Sequence, residues 1–208
     1  MKTRVGVVDY GRGNLHSIVK ALEFIGAEVI LTEDANFIMD MHLLVLPGVG
    51  AFSEGMKGLH ERGLDEALYK FAESGRVLLG ICLGSQMLMS GSNEFGYTSG
   101  LNLIDGNVLL IPPSHEHVPN VGWKQLNHVC ADINLLPFSS LQKYVWAYFV
   151  HSYYCNPANK ECVLATVKHG NNDLPAIVGK NNVFGFQFHP EKSGVGGLAM
   201  LSDFLSLA

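Results

Sequence analysis

The amino-acid sequence predicts an α/β fold with an open, mostly parallel but mixed sheet flanked by helices. In the first half, short apolar runs alternate with stretches in which apolar residues recur every three or four positions, as amphipathic helices require. Residues 77–81 are apolar on both faces, which is typical of a parallel strand covered by helices. Beyond Gly91 strand candidates dominate, and they predict an antiparallel extension of the sheet.

The elements of the first half follow in a regular order. Strands are predicted at 5–8, 29–31, 43–46 and 77–81, and amphipathic helices at 15–25 and 64–71. Asn14 is placed to cap the first helix and Gly26 to end it, while Gly75 ends the second. Because parallel α/β sheets bind ligands beyond the carboxyl ends of their strands, the residues that follow each strand are the first candidates for a site.

The second half predicts strands joined by short turns, closed by a terminal helix. The strand candidates are residues 108–111, 144–154, 162–168, 176–179 and 183–188. Asn181 and Asn182 are typical of a hairpin turn between the last two. An apolar stripe over 198–205 predicts the final helix.

Composition limits the classes of function. A chain of 208 residues that is 48% hydrophobic and 16% charged suits one domain over residues 1–208 with a well-buried core. The net charge of -5 and the lack of a Lys/Arg run argue against nucleic-acid or membrane partners. The first residues do not fit a signal peptide, so we expect a cytoplasmic protein whose four cysteines are reduced.

Cys82 lies at a sharp strand-to-helix turn. It follows the predicted strand 77–81, precedes a helical stretch at 83–88, and has Gly80 and Gly84 on either side, which is the pattern of a nucleophile elbow. A helix N-terminus favours the thiolate form of cysteine, and the Leu83 N–H can face a developing oxyanion. Taken alone, the same pattern also fits a small buried structural cysteine.

A histidine and a glutamate occur two residues apart near the end of the last predicted strand. Pro190 favours an extended conformation of His189, so the side chains of His189 and Glu191 point the same way. Glu191 can then hold one nitrogen of His189 while the other exchanges a proton with Cys82. On its own, this segment equally fits an ordinary surface turn.

Together these segments resemble the class I, or triad, glutamine amidotransferases, whose fold is flavodoxin-like. The resemblance is carried by the Cys82 elbow, by residues 189–191 and by the Pro47-Gly48-Val49-Gly50 loop after the third strand. Segments 9–14, 46–52, 80–86, 122–123, 148–154 and 185–193 extend it to the glutaminase subunits of imidazole glycerol phosphate synthase, from the first strand to the last helix.

The resemblance implies a role for each matching position. It implies that Cys82 is the nucleophile, His189 the acid and base, and Glu191 the residue that orients His189. It assigns the oxyanion hole to the backbone of Val49, Gly50 and Leu83. The residues implied to bind glutamine are Gln86, Glu94, His151, Ser152 and Tyr153. The positions implied to contact a partner are Asn14, Ser17, Trp123 and Lys192.

The resemblance also implies a reaction and a partner. The Cys82 thiolate attacks the side-chain amide of glutamine, ammonia leaves, and water hydrolyses the glutamyl thioester. Because free ammonia is protonated in neutral water, we expect a separate (β/α)-barrel cyclase, or synthase, subunit to accept it in a heterodimer serving histidine biosynthesis. No cofactor and no metal are expected.

Two positions depart from the family pattern, and several alternatives stay open. Ser85 replaces a methionine, and Asn120 replaces a histidine beside the expected partner surface. A related glutaminase that serves a surface-sugar amidotransferase, a cysteine hydrolase or peptidase, and an inactive scaffold remain possible readings. A dinucleotide loop at 11–13 lacks its third glycine because His16 occupies that place. A metal site at His115, Glu116, His117, His128 and Cys130 lacks a paired second cluster.

Overall fold

The computed structural model describes residues 2–128, 138–142 and 145–208. Its strands are β1 (Arg4–Val8), β2 (Glu28–Thr32), β3 (Leu43–Gly48), β4 (Leu78–Cys82), β5 (Met89–Ser92), β6 (Thr98–Ser99), β7 (Ile104–Leu110), β8 (Asn120–His128), β9 (Trp146–His151), β10 (Tyr153–Pro157), β11 (Val163–His169), β12 (Asn172–Lys180) and β13 (Val183–Phe186). Its α-helices are α1 (Leu15–Phe24), α2 (Ala35–Ile38), α3 (Phe52–Glu61), α4 (Leu64–Glu73), α5 (Leu83–Met87) and α6 (Gly194–Leu205). None of the helices in these described ranges is long and apolar enough to cross a membrane.

The main sheet has the order β2-β1-β3-β4-β13-β12-β11-β8-β9. The first five strands in this order, β2, β1, β3, β4 and β13, are parallel to one another. The remaining four, β12, β11, β8 and β9, continue the sheet through antiparallel pairs. The predicted α/β class with a mixed sheet and helices on its faces is therefore confirmed, as is the hairpin between β12 and β13. Asn181 adopts a positive φ of 55° in that turn, a conformation that asparagine tolerates better than most residues.

Apolar residues on both faces of the parallel strands explain why helices cover the sheet on two sides. Leu43 and Val45 belong to the core that also contains α1 and α6. The alternate residues Leu44 and Leu46 belong to the core that contains α3 and α4. Since successive side chains of a strand point to opposite faces, an uninterrupted apolar run is needed to fill both cores.

The prediction of one long strand over 144–154 was wrong. The chain breaks at Ser152: β9 pairs with β8 in the main sheet, whereas β10 pairs with β7 in a second sheet of order β10-β7-β5-β6. The Ser152 carbonyl accepts a hydrogen bond from the Ile111 N–H at 2.9 Å, which joins the two sheets at this point. Apolar and aromatic residues lie on both sides of His151 and Ser152, so the two polar residues did not mark a break in the predicted strand. Tyr144 lies outside the described residues.

Helix α3 was missed because two glycines interrupt its apolar stripe. A Cβ at Gly55 would lie 2.7 Å from Met87 Sδ, and one at Gly58 would lie 2.7 Å from the Tyr10 carbonyl oxygen. Both contacts are too close for a side chain, so glycine lets α3 pack tightly against its neighbours despite its low helix propensity. The helix begins directly after the loop at the end of β3 and thus helps to position that loop.

Candidate active site

The site lies at the carboxyl edge of three neighbouring parallel strands. Strands β3 and β13 flank β4, and register places Gly48 beside Cys82 and Phe186 beside Ile81. The segments that leave these strands therefore meet above β4, the position where open α/β sheets bind ligands. They carry the 48–50 loop, Cys82 and His189.

Cys82 occupies a strained turn between β4 and α5. Its φ of 53° and ψ of -110° are rare for a residue with a side chain, and the side chain is buried with 7% of the residue exposed. The flanking glycines allow the turn, because a Cβ at Gly80 would lie 2.7 Å from the Gly84 carbonyl and one at Gly84 would overlap the Leu46 carbonyl oxygen. The turn holds the thiol at the N-terminus of the helix, directly before its first residue, Leu83.

His189 and Glu191 form a buried pair behind Cys82. His189 Nδ1 lies 2.8 Å from Glu191 Oε1, and each side chain is only 3% exposed. Among the described residues, neither His189 Nε2 nor Glu191 Oε2 has a hydrogen-bond partner. With Nδ1 held by a carboxylate, Nε2 is the nitrogen that is free to exchange a proton.

The charges around His189 favour its protonated form. Burial lowers the pKa of His189, but the neighbouring Cys82 and Glu191 side chains outweigh it and raise the pKa from 6.5 to about 9. At neutral pH the ring is then an imidazolium beside the thiol. This arrangement can hold a thiolate at Cys82 and later deliver a proton to a leaving group.

A cavity of about 490 Å³ opens above Cys82. All the residues predicted to form an oxyanion hole or to bind glutamine line it, together with Cys82 and His189. Glu191 does not line this cavity and lies beside Asn14 in a smaller one on the far side of His189. Pro119 and Val150 also line the main cavity, and the sequence did not single them out.

Two polar side chains on the cavity wall are held by backbone groups. Gln86 Nε2 donates to the Tyr153 carbonyl at 2.8 Å, which ties α5 to β10. Glu94 Oε2 accepts from the Phe52 N–H at 2.7 Å, at the start of α3. An amide and a carboxylate that are fixed in this way can recognise a small polar ligand with little loss of conformational entropy.

The 48–50 loop packs directly against the start of α5. A Cβ at Gly48 would lie 3.0 Å from the Gly84 backbone nitrogen, so glycine permits the close approach. Gly50 has a φ of 98°, a conformation that glycine adopts readily, and Val49 between them is 40% exposed. The loop brings its backbone groups to the cavity next to Leu83.

The four residues predicted to contact a partner surround the His189 segment. Asn14 precedes α1, and its Oδ1 accepts a hydrogen bond from Ser17 Oγ at 3.0 Å. The prediction that the Asn14 side chain caps the helix backbone was therefore wrong. Trp123 is 51% exposed and stacks edge-on against Tyr148, with ring centroids 6.1 Å apart. Lys192 is exposed directly after Glu191.

A profile of the family described as glutamine amidotransferase class-I matches residues 6–207. The chain belongs to this family. Full-length relatives are called imidazole glycerol phosphate synthase subunit HisH. The protein of Bacillus subtilis is 40% identical and covers 98% of this chain and 96% of its own length. The protein of Listeria monocytogenes serotype 4a is 43% identical and covers 95% of this chain and 93% of its own length. The protein of Chlorobaculum tepidum is 39% identical and covers 96% of this chain and 98% of its own length.

Solved structures show the same fold for this class-I amidotransferase. A chain of the structure described as PurLQS from Thermotoga maritima superposes with a TM-score of 0.77 at 24% identity, covering 99% of both chains. A structure described as a glutamine amidotransferase gives a TM-score of 0.75 at 20% identity, covering 97% of this chain and 98% of the other.

Both departures of the amidotransferase from its family pattern are buried. Ser85 Oγ donates to the Cys82 carbonyl at 2.8 Å, and its Cβ leaves little room beside Gly185. Asn120 is 1% exposed and bonds His151 Nε2 at 2.8 Å. Its side chain points into the protein, while Val121 next to it is 54% exposed on the surface beside which the sequence placed Asn120.

Two polar residues that hold the amidotransferase site were missed from the sequence. Gln187 alternates with Phe186 and Phe188, a pattern that normally places the polar residue in solvent, yet Gln187 is 2% exposed and faces Cys82. Ser193 Oγ donates to the His189 carbonyl at 2.6 Å and accepts from the Tyr148 N–H at 2.9 Å. No local pattern indicates either contact, since both depend on how the strands pack.

Glu116, one of the residues considered for a metal site, makes other contacts. Glu116 pairs with Lys124 and lies 3.2 Å from His169 Nδ1. The hydrogen bond from Lys124 is the main reason that the pKa of Glu116 falls to about 2. Cys130 lies outside the described residues, within which no group of metal-binding side chains occurs.

Proposed function

We propose that this chain is the glutaminase subunit of an imidazole glycerol phosphate synthase. It hydrolyses glutamine and passes ammonia to a cyclase subunit in histidine biosynthesis. The observation that carries the proposal is that Cys82 and His189 line one cavity while Glu191 holds His189 Nδ1 from behind at 2.8 Å. Full-length relatives that bear this enzyme's name at 39 to 43% identity support the pathway.

The reaction follows from the positions of three side chains. Cys82, as a thiolate, attacks the amide carbon of glutamine, and His189 protonates the nitrogen so that ammonia leaves. His189 then removes a proton from water, which attacks the thioester and releases glutamate and the thiol. Glu191 keeps the proton on Nδ1 of His189 and stabilises the imidazolium in both steps.

Backbone donors stabilise the oxyanion of both tetrahedral intermediates. The N–H of Leu83 is the first of α5 and lies beside the nucleophile, and the 48–50 loop supplies the second donor. Because Gly50 can rotate at little cost, the loop can turn its N–H toward the cavity when a partner docks. We therefore expect low turnover by the isolated chain and high turnover in the complex.

The cavity wall offers acceptors to the ammonium group of glutamine. Gln86 Nε2 donates to Tyr153 and to Gln187 at 2.8 and 3.1 Å, so both its hydrogens are used and Oε1 is the atom it presents to a ligand. Glu94 keeps one carboxylate oxygen for the same group, since Phe52 occupies the other. The backbone of 151–153, which also lines the cavity, is left to hold the carboxylate.

The rim of the cavity supplies a surface for the cyclase. Val49 lines the cavity, Val121 pairs with Val150 of the cavity wall, and Trp123 follows on the same strand; these three apolar side chains are between 40% and 54% exposed. A partner that covers this rim buries apolar area and seals the cavity from water, so that ammonia stays unprotonated on its way out. Asn14, Ser17 and Lys192 extend the proposed contact on the side of His189.

The test is reconstitution with candidate partners. The chain is mixed with the cyclase subunit from the same genome, and glutamate formation is measured with and without the cyclase substrate. We expect a stable heterodimer and strong stimulation. Stimulation only by a sugar amidotransferase would assign the ammonia to sugar amidation. Rapid peptide cleavage without glutamine turnover would instead indicate a cysteine peptidase.

A further inference from the structure

We propose that Gln187 donates a hydrogen bond from its side-chain amide to the Cys82 thiolate, in an orientation fixed by buried hydrogen bonds that start at the Tyr153 carbonyl. Gln187 lies on the segment that links β13 to His189, so it approaches the nucleophile from the side of the main sheet. The inference rests on the proposed function, since it adds a residue to the same nucleophile. It also makes a claim about the thiol that can be tested without glutamine.

The orientation of the Gln187 amide follows from donors and acceptors alone. A backbone carbonyl can only accept, so the Gln86 atom at 2.8 Å from the Tyr153 oxygen must be Nε2. The second hydrogen of Gln86 Nε2 points to Gln187 at 3.1 Å, where only an oxygen can accept it. Gln187 Oε1 is thereby used, and its Nε2 must face the other way.

The other way is toward the nucleophile. Gln187 Nε2 lies 4.0 Å from Cys82 Sγ, and both side chains are buried. Turning the amide over would place Oε1 against a negatively charged sulfur and would oppose two NH₂ groups at Gln86. The donor N–H of Gln187 is thereby aimed at the sulfur, and catalytic hydrogen bonds tighten in the reacting complex.

A second branch fixes the Tyr153 carbonyl from the other side. His151 Nδ1 lies 2.9 Å from the same oxygen, so this nitrogen carries the proton and Nε2 is the acceptor. Asn120 Nδ2 donates to that Nε2 at 2.8 Å, which leaves Asn120 Oδ1 to accept from His169 Nδ1 at 3.3 Å. The carbonyl thus determines the hydrogen positions of His151 and Asn120, whereas His169 Nδ1 also lies 3.2 Å from Glu116 and 3.5 Å from Lys124 Nζ.

The His151 ring in this branch is neutral at neutral pH. Burial is the largest cause that lowers the pKa of His151, to about 4, and burial also lowers the pKa of His169. The branch therefore presents dipoles to the Tyr153 carbonyl, and the charges of Glu116 and Lys124 meet it at its outer end, beside His169. Its effect on Cys82 is exerted through Gln187, the only member that reaches the sulfur among the described residues.

The test compares two replacements that separate orientation from thiolate stabilisation. Gln187→Glu keeps an oxygen to accept from Gln86 but presents a second oxygen to Cys82 in place of the N–H. Gln187→Met is similar in length and removes both hydrogen bonds. Gln125→Met, on the partly exposed strand β8, is the matched control for the change of residue type. Thermal unfolding establishes that each variant is folded.

The readout is the pH dependence of alkylation of Cys82 by iodoacetamide, followed by mass spectrometry of the peptide that contains Cys82. A hydrogen bond to a charged group contributes about 1.5 kcal/mol or more, so we expect the alkylation midpoint of Gln187→Met to rise by roughly 1 pH unit. The alkylation midpoint of Gln187→Glu should rise further, because a carboxylate repels the thiolate. The control should match the wild type.

An unchanged midpoint in a folded Gln187→Glu variant would overturn the inference, whatever the behaviour of Gln187→Met. A shifted midpoint in a chain that no partner or acceptor stimulates to hydrolyse glutamine would uphold the inference and defeat the proposed function. The two failures are therefore distinguishable.

Discussion

Replacing Glu191 with glutamine tests how His189 is held in the proposed mechanism. The Glu191→Gln change keeps the size of the side chain and an oxygen that can accept from Nδ1, but it removes the negative charge 2.8 Å from the ring. Both side chains are 3% exposed, so water does not replace the lost charge. The imidazolium that forms when His189 takes a proton is then less stable.

The structure sets the size of the effect. A hydrogen bond to a charged group contributes about 1.5–3 kcal/mol, and each 1.36 kcal/mol is tenfold in rate, so kcat/KM should fall roughly 10- to 150-fold. The change should act mainly on kcat, because Glu191 does not line the substrate cavity. Glutamate release by the reconstituted complex, measured over a range of glutamine concentrations, gives both constants.

The same variant changes how stability depends on pH. The pKa of His189 is raised from 6.5 to about 9, so its contribution to stability is complete below pH 6.5 and is lost as the pH rises through 9. Without the Glu191 charge the pKa of His189 falls, and the loss of stability between these values should become shallower. Urea unfolding at several pH values measures this dependence of the free energy of unfolding on pH. Wild-type kcat/KM and an unchanged pH profile in Glu191→Gln would refute the reasoning.

Three other predictions concern the support of the site. Ser193→Ala removes the hydroxyl that joins the His189 carbonyl to a backbone N–H, so we expect about 1–3 kcal/mol less stability and a lower kcat, whereas exposed Ser202→Ala should change neither. Gly84→Ala places a methyl group on a β3 carbonyl and should prevent folding or lower the free energy of unfolding by about 4 kcal/mol or more. Gly196→Ala, whose Cβ meets a valine methyl group at 3.0 Å, should destabilise the protein much less, and thermal unfolding of both variants measures the difference. The isolated chain should turn over glutamine far more slowly than the heterodimer, and equal rates would contradict a partner-dependent loop.

The sequence predicted the parallel half of the fold better than the rest, for a physical reason. Strands that are buried on both faces produce uninterrupted apolar runs, and 77–81 and 43–46 were recognised in this way. The break at Ser152 was missed because it depends on which strand each half pairs with. Helix α3 was missed because its glycines serve close packing, which a helical pattern does not show.

The candidate site divides in the same way. Cys82, His189 and Glu191 are marked by local constraints, namely a tight turn and an extended X-Pro segment, and such constraints leave a trace in neighbouring residues. Gln187 and Ser193 act through contacts between distant segments. Gln187 stands between two phenylalanines as an exposed polar residue would, and Ser193 simply follows the segment 189–191. No neighbouring residue indicates that either side chain is buried at the site, so only the packing of the strands reveals their roles.

The central claim is that Cys82 releases ammonia from glutamine for a partner to use. The most direct measurement is synthesis by the complete heterodimer of the Cys82→Ser variant, with glutamine and with an ammonium salt as alternative nitrogen sources. We predict that glutamine-dependent synthesis is lost while ammonia-dependent synthesis matches the wild type. Continued glutamine-dependent synthesis at the wild-type rate would contradict the account.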